Sequence, residues 1–350
     1  MSQWHSGPVD FLRRRLPSDS VIRPYAKRIV EDVRSLARAG RSWSQQEETT
    51  PAWLTLETTN ICNADCVFCA YRHQAGFRKG QGVMQDDIFE KALREYKAMG
   101  GEMINFTPLV GDPLIDPNIT RRIRRAKDEG FRVRLYTNGI LFHRMDLEQF
   151  LDAQPDIVVI STSPFDRESH ERIYQTRKYP ELLDGVHRLL RLRNERGSDV
   201  KVGIQFRAHI PLDQILEQPD FRRYIQPYLR ESEIGELYAQ VKSFDHWGGL
   251  ISRDDLVEGM SIAVPPLLKK RPCRWTFFMM VMYDGRVRAC SCRYSGTEVA
   301  DGKDGLLIGD LRSSTLGELW HGPAIRQLRR SFGQSTMPTV CRSCTMYRAV

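Results

Sequence analysis

Between residues 53 and 241, segments with the pattern of strands alternate with segments that have the pattern of helices. Short apolar runs separated by amphipathic stretches are typical of parallel strands joined by helical crossovers. We predict strands at 53–59, 103–107, 132–137, 156–161, 200–210 and 236–241. Helices are predicted at 85–99, 117–129, 146–153, 179–196 and 212–229. These units are too few for a closed eight-stranded barrel, so we expect an α/β fold in the form of a partial, TIM-like (β/α)6 barrel.

Two further stretches flank this alternating region. Residues 1–50 precede it, and apolar residues at helical spacing between 24 and 40 predict a helical extension followed by a polar linker. After about residue 250 the pattern changes, because several prolines interrupt regular structure and the pair Asp284-Gly285 predicts a hairpin turn. We therefore expect three parts: 1–50 as an N-terminal extension and linker, 51–250 as the α/β core, and 251–350 as a small second domain.

The chain is moderately basic. Its 350 residues include 52 Lys and Arg against 44 Asp and Glu, which gives a formal charge of +8. The excess is spread along the sequence, and its densest group lies at 121–125. Ile119, Ile123 and Ala126 share that segment at helical spacing, so we predict that its arginines form the solvated face of an amphipathic helix. A nucleic-acid-binding patch is the alternative, and we expect no nucleic-acid partner.

Two features of the sequence bear on the compartment. No apolar run reaches the roughly 20 residues that a membrane-spanning helix needs. The first residues lack the apolar stretch of a secretory signal. We therefore expect a cytoplasmic protein without a membrane partner, in which the eight cysteines serve a purpose other than disulfide formation.

The cysteines fall into two groups that are far apart in sequence. Three lie at positions 62, 66 and 69, directly after the first predicted strand, and five lie at 273, 290, 292, 341 and 344. Grouped thiolate ligands are typical of zinc or iron–sulfur sites. Three thiolates in one short loop can each bind one iron of a cubic four-iron cluster, which leaves the fourth iron without a protein ligand. A zinc site or incidental core cysteines are the alternatives for this first group.

The first group resembles the Cys-x3-Cys-x2-Cys motif of the radical S-adenosylmethionine (SAM) superfamily. An aromatic residue precedes the third cysteine in that family, and Phe68 holds this position here. The resemblance implies that Cys62, Cys66 and Cys69 are the catalytic residues and hold a 4Fe-4S cluster. It also implies that the amino and carboxylate groups of SAM chelate the open iron of that cluster.

Further segments match places where the family contacts SAM. The family usually has Gly-Gly-Glu-Pro after its second strand, and this chain has Val110-Gly111-Asp112-Pro113 there. Asp is one methylene shorter than Glu but offers the same acceptor atoms. An ordinary turn is the alternative for this segment, and structural roles are the alternative for the two residues of the fifth strand. By resemblance, the residues expected to bind this cofactor are Phe68, Gly111, Asp112, Asn138, Ser161, Ser163, Gln205 and Arg207.

The second group of cysteines resembles the SPASM or twitch domain that many radical SAM enzymes carry. Full SPASM domains have more cysteines, so the resemblance implies one auxiliary 4Fe-4S cluster, as in the twitch type. Cys290 follows Gly285 at the family's spacing and is preferred to Cys292 as a ligand. A structural zinc site remains the alternative. The expected ligands of this second site are Cys273, Cys290, Cys341 and Cys344.

The resemblance also implies an activity. Radical SAM enzymes cleave SAM reductively to a 5′-deoxyadenosyl radical, which takes hydrogen from a substrate, and they need an external reductant such as flavodoxin or ferredoxin. A fully ligated auxiliary cluster suits electron transfer during a net oxidation. We expect a small-molecule substrate of sugar, aminocyclitol or nucleotide type, because residues 1–50 are short for a peptide-recognition domain. The alternatives are a maturase of a ribosomally synthesised peptide and a non-catalytic zinc- or nucleic-acid-binding protein.

Overall fold

The computed structural model describes residues 50–73, 80–230, 239–291 and 304–350. The extension expected at 1–50 lies outside these residues except for Thr50, and so does the cysteine at position 292. All three cysteines of the first group and the four preferred ligands of the second group are described. Both candidate sites can therefore be placed in the fold.

Parallel strands form the centre of the sheet. Their bounds are Leu54–Leu56 (β1), Met103–Phe106 (β2), Arg132–Thr137 (β3), Ile157–Thr162 (β4), Lys201–Arg207 (β5) and Ala239–Val241 (β6). Each strand pairs in parallel with the next one along the chain. The predicted α/β fold is confirmed, and this arrangement is consistent with a partial TIM-like barrel.

A C-terminal hairpin extends the same sheet beyond β1. Following a short pair, Ser243–Phe244 (β7) and Ser261–Ile262 (β8), the chain forms Met279–Val281 (β9), Arg286–Arg288 (β10) and Leu307–Asp310 (β11). β9 lies parallel to β1, with Met280 opposite Thr55, and β10 lies antiparallel between β9 and β11. The predicted turn at Asp284 and Gly285 joins β9 to β10, and Gly285 has a φ of 89°. The hairpin that leads to Cys290 is thus hydrogen-bonded to β1, the strand that precedes the first cysteine group.

Helices connect the strands. Their bounds are Asp86–Ala98 (α1), Ile119–Asp128 (α2), Leu147–Asp152 (α3), Arg167–Tyr174 (α4), Tyr179–Glu195 (α5) and Leu212–Leu216 (α6). The C-terminal part adds Leu316–Trp320 (α7), Pro323–Arg330 (α8) and Thr339–Ser343 (α9). In the part of the chain that the structure describes, no helix combines the length and the apolar character that a membrane span requires.

The two faces of the sheet differ in character. Alternate residues of each strand point to opposite faces, and one set is apolar and fully buried against the helices, as the contact between Phe89 of α1 and Phe106 shows with ring centroids 6.4 Å apart. The other set contains polar side chains that are partly exposed. This polar face of the sheet includes Arg134, Tyr136, Ser161, Gln205 and Arg207. It is the surface on which a ligand can meet functional groups.

Helix α2 corrects one expectation. Asp116 lies before the helix, where its carboxylate accepts the N–H of Asn118 at 2.9 Å and pairs with Arg122 at 2.9 Å. The cap position is occupied by Asn118. Arg122 was expected in a solvated face, but it is completely buried and also donates to the carbonyl of Met84. The charge of one arginine of this cluster is therefore neutralised inside the protein.

Residues 212–229 were predicted to form one continuous helix, but the structure divides them into three short pieces. These are α6, then a π-helical turn at Phe221–Ile225 and a 3-10 turn at Gln226–Tyr228. Pro219 and Pro227 interrupt the segment, because proline has no N–H to donate to a helix. The sequence analysis also missed α4, a short helix whose N-cap Asp166 accepts the N–H of Ser169 at 2.7 Å.

Candidate active site

The first cysteine loop follows β1, and the end of α4 holds it in place. The backbone N–H groups of Asp65 and Val67 donate to the carbonyls of Tyr174 and Ile173, at 3.0 and 2.9 Å. Within the loop, the N–H of Cys69 donates to the carbonyl of Cys66 at 3.1 Å. The loop therefore lies at the carboxyl end of the parallel strands, where barrels of this kind carry their chemistry.

The three thiols of this loop are free and influence one another's pKa. Burial raises the pKa of Cys66 well above its usual range, and the neighbouring thiols of Cys62 and Cys69 raise it further. Burial likewise raises the pKa of Cys62, with a contribution from Asp112. Burial raises the pKa of Cys69 to about 11, although Arg207 lowers it. Buried thiols become thiolates when a metal supplies positive charge, so this donor set fits an iron–sulfur cluster.

Phe68 packs between the loop and the strands. Its ring stacks on Phe244 with centroids 5.0 Å apart and meets the edge of Tyr174 at 5.7 Å. The guanidinium carbon of Arg207 lies 6.0 Å from the centre of the same ring. Phe68 thus fixes the third cysteine against the aromatic residues and connects the loop to the end of β5.

Gly111 and Asp112 bring the loop after β2 against the first cysteine loop. The N–H of Asp112 donates to the carbonyl of Ile61 at 2.8 Å. Gly111 has a φ of 128°, and a Cβ atom there would lie 2.9 Å from the carbonyl carbon of Asn60. Only glycine fits this close approach of two backbones. The residue that matches the family's second glycine is therefore required by the local packing.

The carboxylate of Asp112 is buried and accepts bonds from its own chain. It accepts the N–H of Leu114 at 3.0 Å, the N–H of Asn138 at 2.6 Å and the hydroxyl of Thr137 at 2.9 Å. Burial raises the pKa of Asp112 to about 6, and these three donors oppose that shift. The Thr137 hydroxyl also lies 3.0 Å from the second carboxylate oxygen, so donors of the chain contact both oxygens.

Asn138 joins the end of β3 to the cysteine loop. Its side-chain N–H group donates to the side-chain oxygen of Asn63 at 2.7 Å, and its own oxygen accepts the N–H of Ile140 at 2.9 Å. Asn63 directly follows Cys62. Asn138 therefore holds the strand end and the cysteine loop at a fixed separation.

Ser161, Gln205 and Arg207 form one group on the polar face of the sheet. Arg207 donates from Nε to the hydroxyl of Ser161 at 3.0 Å and from Nη2 to the side-chain oxygen of Gln205 at 2.7 Å. The hydroxyl of Tyr174 donates to the carbonyl of Ser161 at 2.7 Å. The structure thus brings these three predicted residues together beside Phe68.

Ser163 is placed differently. It is completely buried, and its hydroxyl lies 3.0 Å from Nδ1 of His170 and 3.1 Å from the carbonyl of Pro164. Burial lowers the pKa of His170 to about 4, so this imidazole is neutral near pH 7. The structure therefore places Ser163 in the packing between β4 and α4, apart from the polar face of the sheet.

The four described cysteines of the second group line one small cavity. Cys273, Cys290, Cys341 and Cys344 line this cavity together with Trp275 and other side chains. Among the described residues, none of these four cysteines forms a disulfide bond. Burial raises the pKa of Cys273 to about 12, and the thiols of Cys290 and Cys344 add to this shift. A converging set of four thiols is a donor set that suits an iron–sulfur cluster.

A lysine that the sequence analysis did not single out organises this second site. Lys269 is buried, and its ammonium group donates to the carbonyls of Cys341, Arg342 and Cys344, each at 2.8 Å. Three carbonyls use the full donor capacity of an ammonium group. Lys269 therefore fixes the loop that carries the last two cysteines and places a positive charge beside it.

A buried ion pair supports Cys290. Arg288 donates from Nε to Asp304 at 2.6 Å and from Nη1 to the carbonyl of Cys290 at 2.9 Å. Both charged side chains are almost completely buried. Because an isolated buried charge is costly, the pair depends on both partners being present. The sequence offered no local sign of this pair, since its members are separated by a stretch without regular pattern.

A short segment connects the two cysteine loops. The indole N–H of Trp247 donates to the carbonyl of Phe68 at 3.0 Å. Asp245 accepts the hydroxyl of Thr345 at 2.7 Å, and His246 lies with Nε2 3.0 Å from the carbonyl of Ser343. Thr345 and Ser343 flank Cys344. This segment therefore contacts the loops of both candidate cluster sites.

Two family models match the chain. The radical SAM superfamily model matches residues 56–205, and the model of an iron–sulfur cluster-binding domain, SPASM, matches residues 273–345. Among curated proteins, the GTP 3',8-cyclase of Klebsiella pneumoniae subsp. pneumoniae is 23% identical over 208 residues. That match covers 59% of this chain and 62% of the cyclase, so this chain spans only part of the length of its curated relatives.

Solved structures share the fold. BtrN in complex with AdoMet and 2-DOIA has a TM-score of 0.51 and 15% identity, over 84% of this chain and 92% of BtrN. Streptococcus suis SuiB bound to the precursor peptide SuiA has a TM-score of 0.55 and 16% identity, over 96% of this chain and 80% of SuiB. With both family models placed on the two cysteine groups, the chain belongs to the radical SAM superfamily, is an enzyme, and carries a SPASM iron–sulfur cluster-binding domain after its α/β core.

Proposed function

We propose that Cys62, Cys66 and Cys69 hold the 4Fe-4S cluster and that this enzyme takes hydrogen from a small-molecule substrate. The bound cluster with SAM at its open iron supplies the reductive cleavage of SAM to a 5′-deoxyadenosyl radical. The observation that carries the proposal is the junction between the cysteine loop and the strand ends. Asn138 bonds to Asn63, while the ends of β4 and β5 meet Phe68.

The residues at this junction have distinct proposed roles toward SAM. Gly111 lets the backbone after β2 approach the cysteine loop, and Asn138 sets the width of the site. Asp112 holds the end of β3, and its carboxylate is the group proposed to accept from the ammonium group of SAM. Arg207, together with Ser161 and Gln205, offers donors for the carboxylate or ribose of SAM.

We propose one auxiliary 4Fe-4S cluster on the four cysteines that line the second cavity. Four thiolates give full ligation, so no iron is left to bind substrate, and electron transfer in a net oxidation is the role that remains. Four cysteines also suit a structural zinc site. The match of residues 273–345 to an iron–sulfur cluster-binding domain favours the cluster.

For the substrate we propose a small molecule of sugar, aminocyclitol or nucleotide type. This class is compatible with two of the proteins that the chain resembles, a GTP 3',8-cyclase and BtrN, whose structure was solved with 2-DOIA. The second candidate is modification of a ribosomally made peptide, since SuiB has been seen with its precursor peptide. Cysteines used as cluster ligands suit the reducing cytoplasm, where flavodoxin or ferredoxin can supply electrons.

The test is anaerobic reconstitution followed by mass spectrometry with candidate small molecules and peptides. The wild type should hold about eight irons, the sum of two four-iron clusters, and form 5′-deoxyadenosine together with an oxidised product. A Cys344→Ala variant that stays folded and binds SAM should still form 5′-deoxyadenosine but lose the product. Normal product formation by this variant would exclude the electron-transfer role of the second site.

A further inference from the structure

Arg134 is the third residue of β3 and lies on the polar face of the sheet. The strand register pairs it with Asn105 of β2 on one side and with Ile157 of β4 on the other. Residues paired in this way project to the same face. Arg134 therefore has a neighbouring strand on each side. Its side chain projects from the polar face of the sheet, opposite the face that packs against the helices.

The contacts of this guanidinium group are few and neutral. It lies over the ring of Tyr136, with the guanidinium carbon 4.6 Å from the ring centroid, and Nη2 donates to the Tyr136 hydroxyl. Its Nε atom is buried and has no hydrogen-bond partner among the described residues. Within those same residues, no carboxylate forms an ion pair with Arg134. Arg122 and Arg288, in contrast, each pair with a buried aspartate.

Within the described part of the chain, the acidic side chain that follows β1 does not balance the charge of Arg134. Glu57, at the end of β1, is almost completely enclosed, and burial raises the pKa of Glu57 to about 8, so it is largely neutral at pH 7. Arg207 adds a second positive charge on the same face. A partly buried guanidinium group without a counter-charge pays a desolvation cost. An anionic ligand that forms paired hydrogen bonds with the guanidinium fork would offset it.

SAM is not the source of this anion. Arg134 precedes Asn138 by four residues in an extended strand, so the Cα atoms of the two residues lie about 13 Å apart along the strand. Asn138 bonds directly to the cysteine loop, at the site proposed for SAM. SAM has a single carboxylate, and the proposed function places it at the open iron of the cluster in that loop. An anion at Arg134 therefore belongs to a second molecule.

We propose that Arg134, assisted by Tyr136, binds an anionic group of the substrate, a phosphate or a carboxylate. This assignment rests on the proposed function, because it takes the second molecule to be the substrate. It narrows the substrate to small molecules that carry such a group. Arg134 then acts in substrate binding and leaves SAM cleavage to the residues at the cysteine loop.

The test uses the reconstituted enzyme with SAM bound, and isothermal titration calorimetry with two probes, pyrophosphate and malonate. The variant is Arg134→Gln, and the matched control is Arg132→Gln, an exposed arginine at the start of the same strand. The wild type and the control should bind at least one probe, and Arg134→Gln should bind it at least 10-fold more weakly. Arg134→Lys keeps the positive charge but lacks the paired N–H groups of the guanidinium. Its affinity for the probe should lie between those of the wild type and Arg134→Gln.

The relative affinity of the two probes distinguishes a phosphate from a carboxylate. Equal binding by Arg134→Gln and the wild type, or no binding of either probe by the wild type, would overturn the assignment. Probe binding without any SAM cleavage by the wild type would instead contradict the proposed function and leave the anion site standing, so the two failures are distinguishable.

Discussion

The indole nitrogen of Trp247 lies 3.0 Å from the backbone oxygen of Phe68 and donates a hydrogen bond to it. Phe68 directly precedes Cys69, while the neighbouring Asp245 binds Thr345, which directly follows Cys344. One short segment therefore holds a residue next to each candidate cluster. Loss of order at one cysteine loop is expected to affect the other.

Trp247→Phe removes the indole donor and keeps an aromatic ring. We expect a loss of about 1 kcal/mol, the usual contribution of one hydrogen bond, and faster release of iron from the first site to a chelator. The matched control is Trp53→Phe, because the indole nitrogen of Trp53 has no hydrogen-bond partner among the described residues. Equal iron release by the two variants would show that the bond to Phe68 does not stabilise the loop.

Lys269→Met removes three hydrogen bonds from the loop that carries Cys341 and Cys344. The three carbonyls lose a charged donor inside the protein, so we expect a destabilisation of about 1–3 kcal/mol and incomplete filling of the second site. Iron content and a thermal melt of the reconstituted enzyme measure both effects. Lys270→Met, at the adjacent exposed position, should behave as the wild type. The account of Lys269 fails if the two variants retain iron equally well.

Gly111→Ala places a Cβ atom 2.9 Å from the carbonyl carbon of Asn60, at a φ that side chains rarely adopt. The loop after β2 and the first cysteine loop must move apart. We therefore expect the affinity for SAM to fall at least 10-fold, while the four-cysteine site keeps its iron. Gly317→Ala is the control, because nothing lies within 4 Å of its added Cβ atom. Equilibrium binding of SAM to both variants checks this, and unchanged affinity in Gly111→Ala would contradict it.

Glu57 predicts a pH dependence of stability. Burial raises the pKa of Glu57 to about 8, while Arg288 lowers it and Asp284 raises it. Because the folded protein holds this proton more tightly than the unfolded chain, the contribution is most favourable below about pH 4.5 and declines as pH rises toward 8. Glu57→Gln keeps the oxygen that accepts the N–H of Leu109 and cannot ionise.

The comparison is between thermal melts of Glu57→Gln and the wild type at several pH values from 5.5 to about 8. The stability of the variant relative to the wild type should increase with pH, by at most about 1.4 kcal/mol per pH unit. The exposed Glu102→Gln should show no such trend. A constant difference between Glu57→Gln and the wild type over this range would mean that Glu57 ionises normally.

Local patterns were sufficient for the individual strands and for the Asp284-Gly285 hairpin, because each of these depends on residues close together in sequence. The burial of Arg122 was not predictable, because its partner Asp116 lies just before the helix and the surrounding arginines are typical of a solvated face. Lys269 gave no signal either, since the three carbonyls it binds lie more than 70 residues away. Such contacts form only when the sheet brings distant loops together.

The placement of the predicted SAM residues shows the same limit. Family resemblance suggested Ser161 and Ser163 equally, as they are two residues apart at the end of β4. The structure puts Ser161 beside Arg207 and puts Ser163 against His170. The difference arises from α4, a short helix that the hydrophobic pattern did not indicate and that packs over the strand end.

The central claim is that Cys62, Cys66 and Cys69 carry the cluster that cleaves SAM. The most direct measurement is the rate of 5′-deoxyadenosine formation by the reconstituted enzyme with SAM and dithionite. The account predicts turnover by the wild type, none by the variant with all three cysteines replaced by alanine, and retained turnover by a folded Cys290→Ala variant. Turnover by the triple variant at the wild-type rate, or none by the wild type, would contradict it.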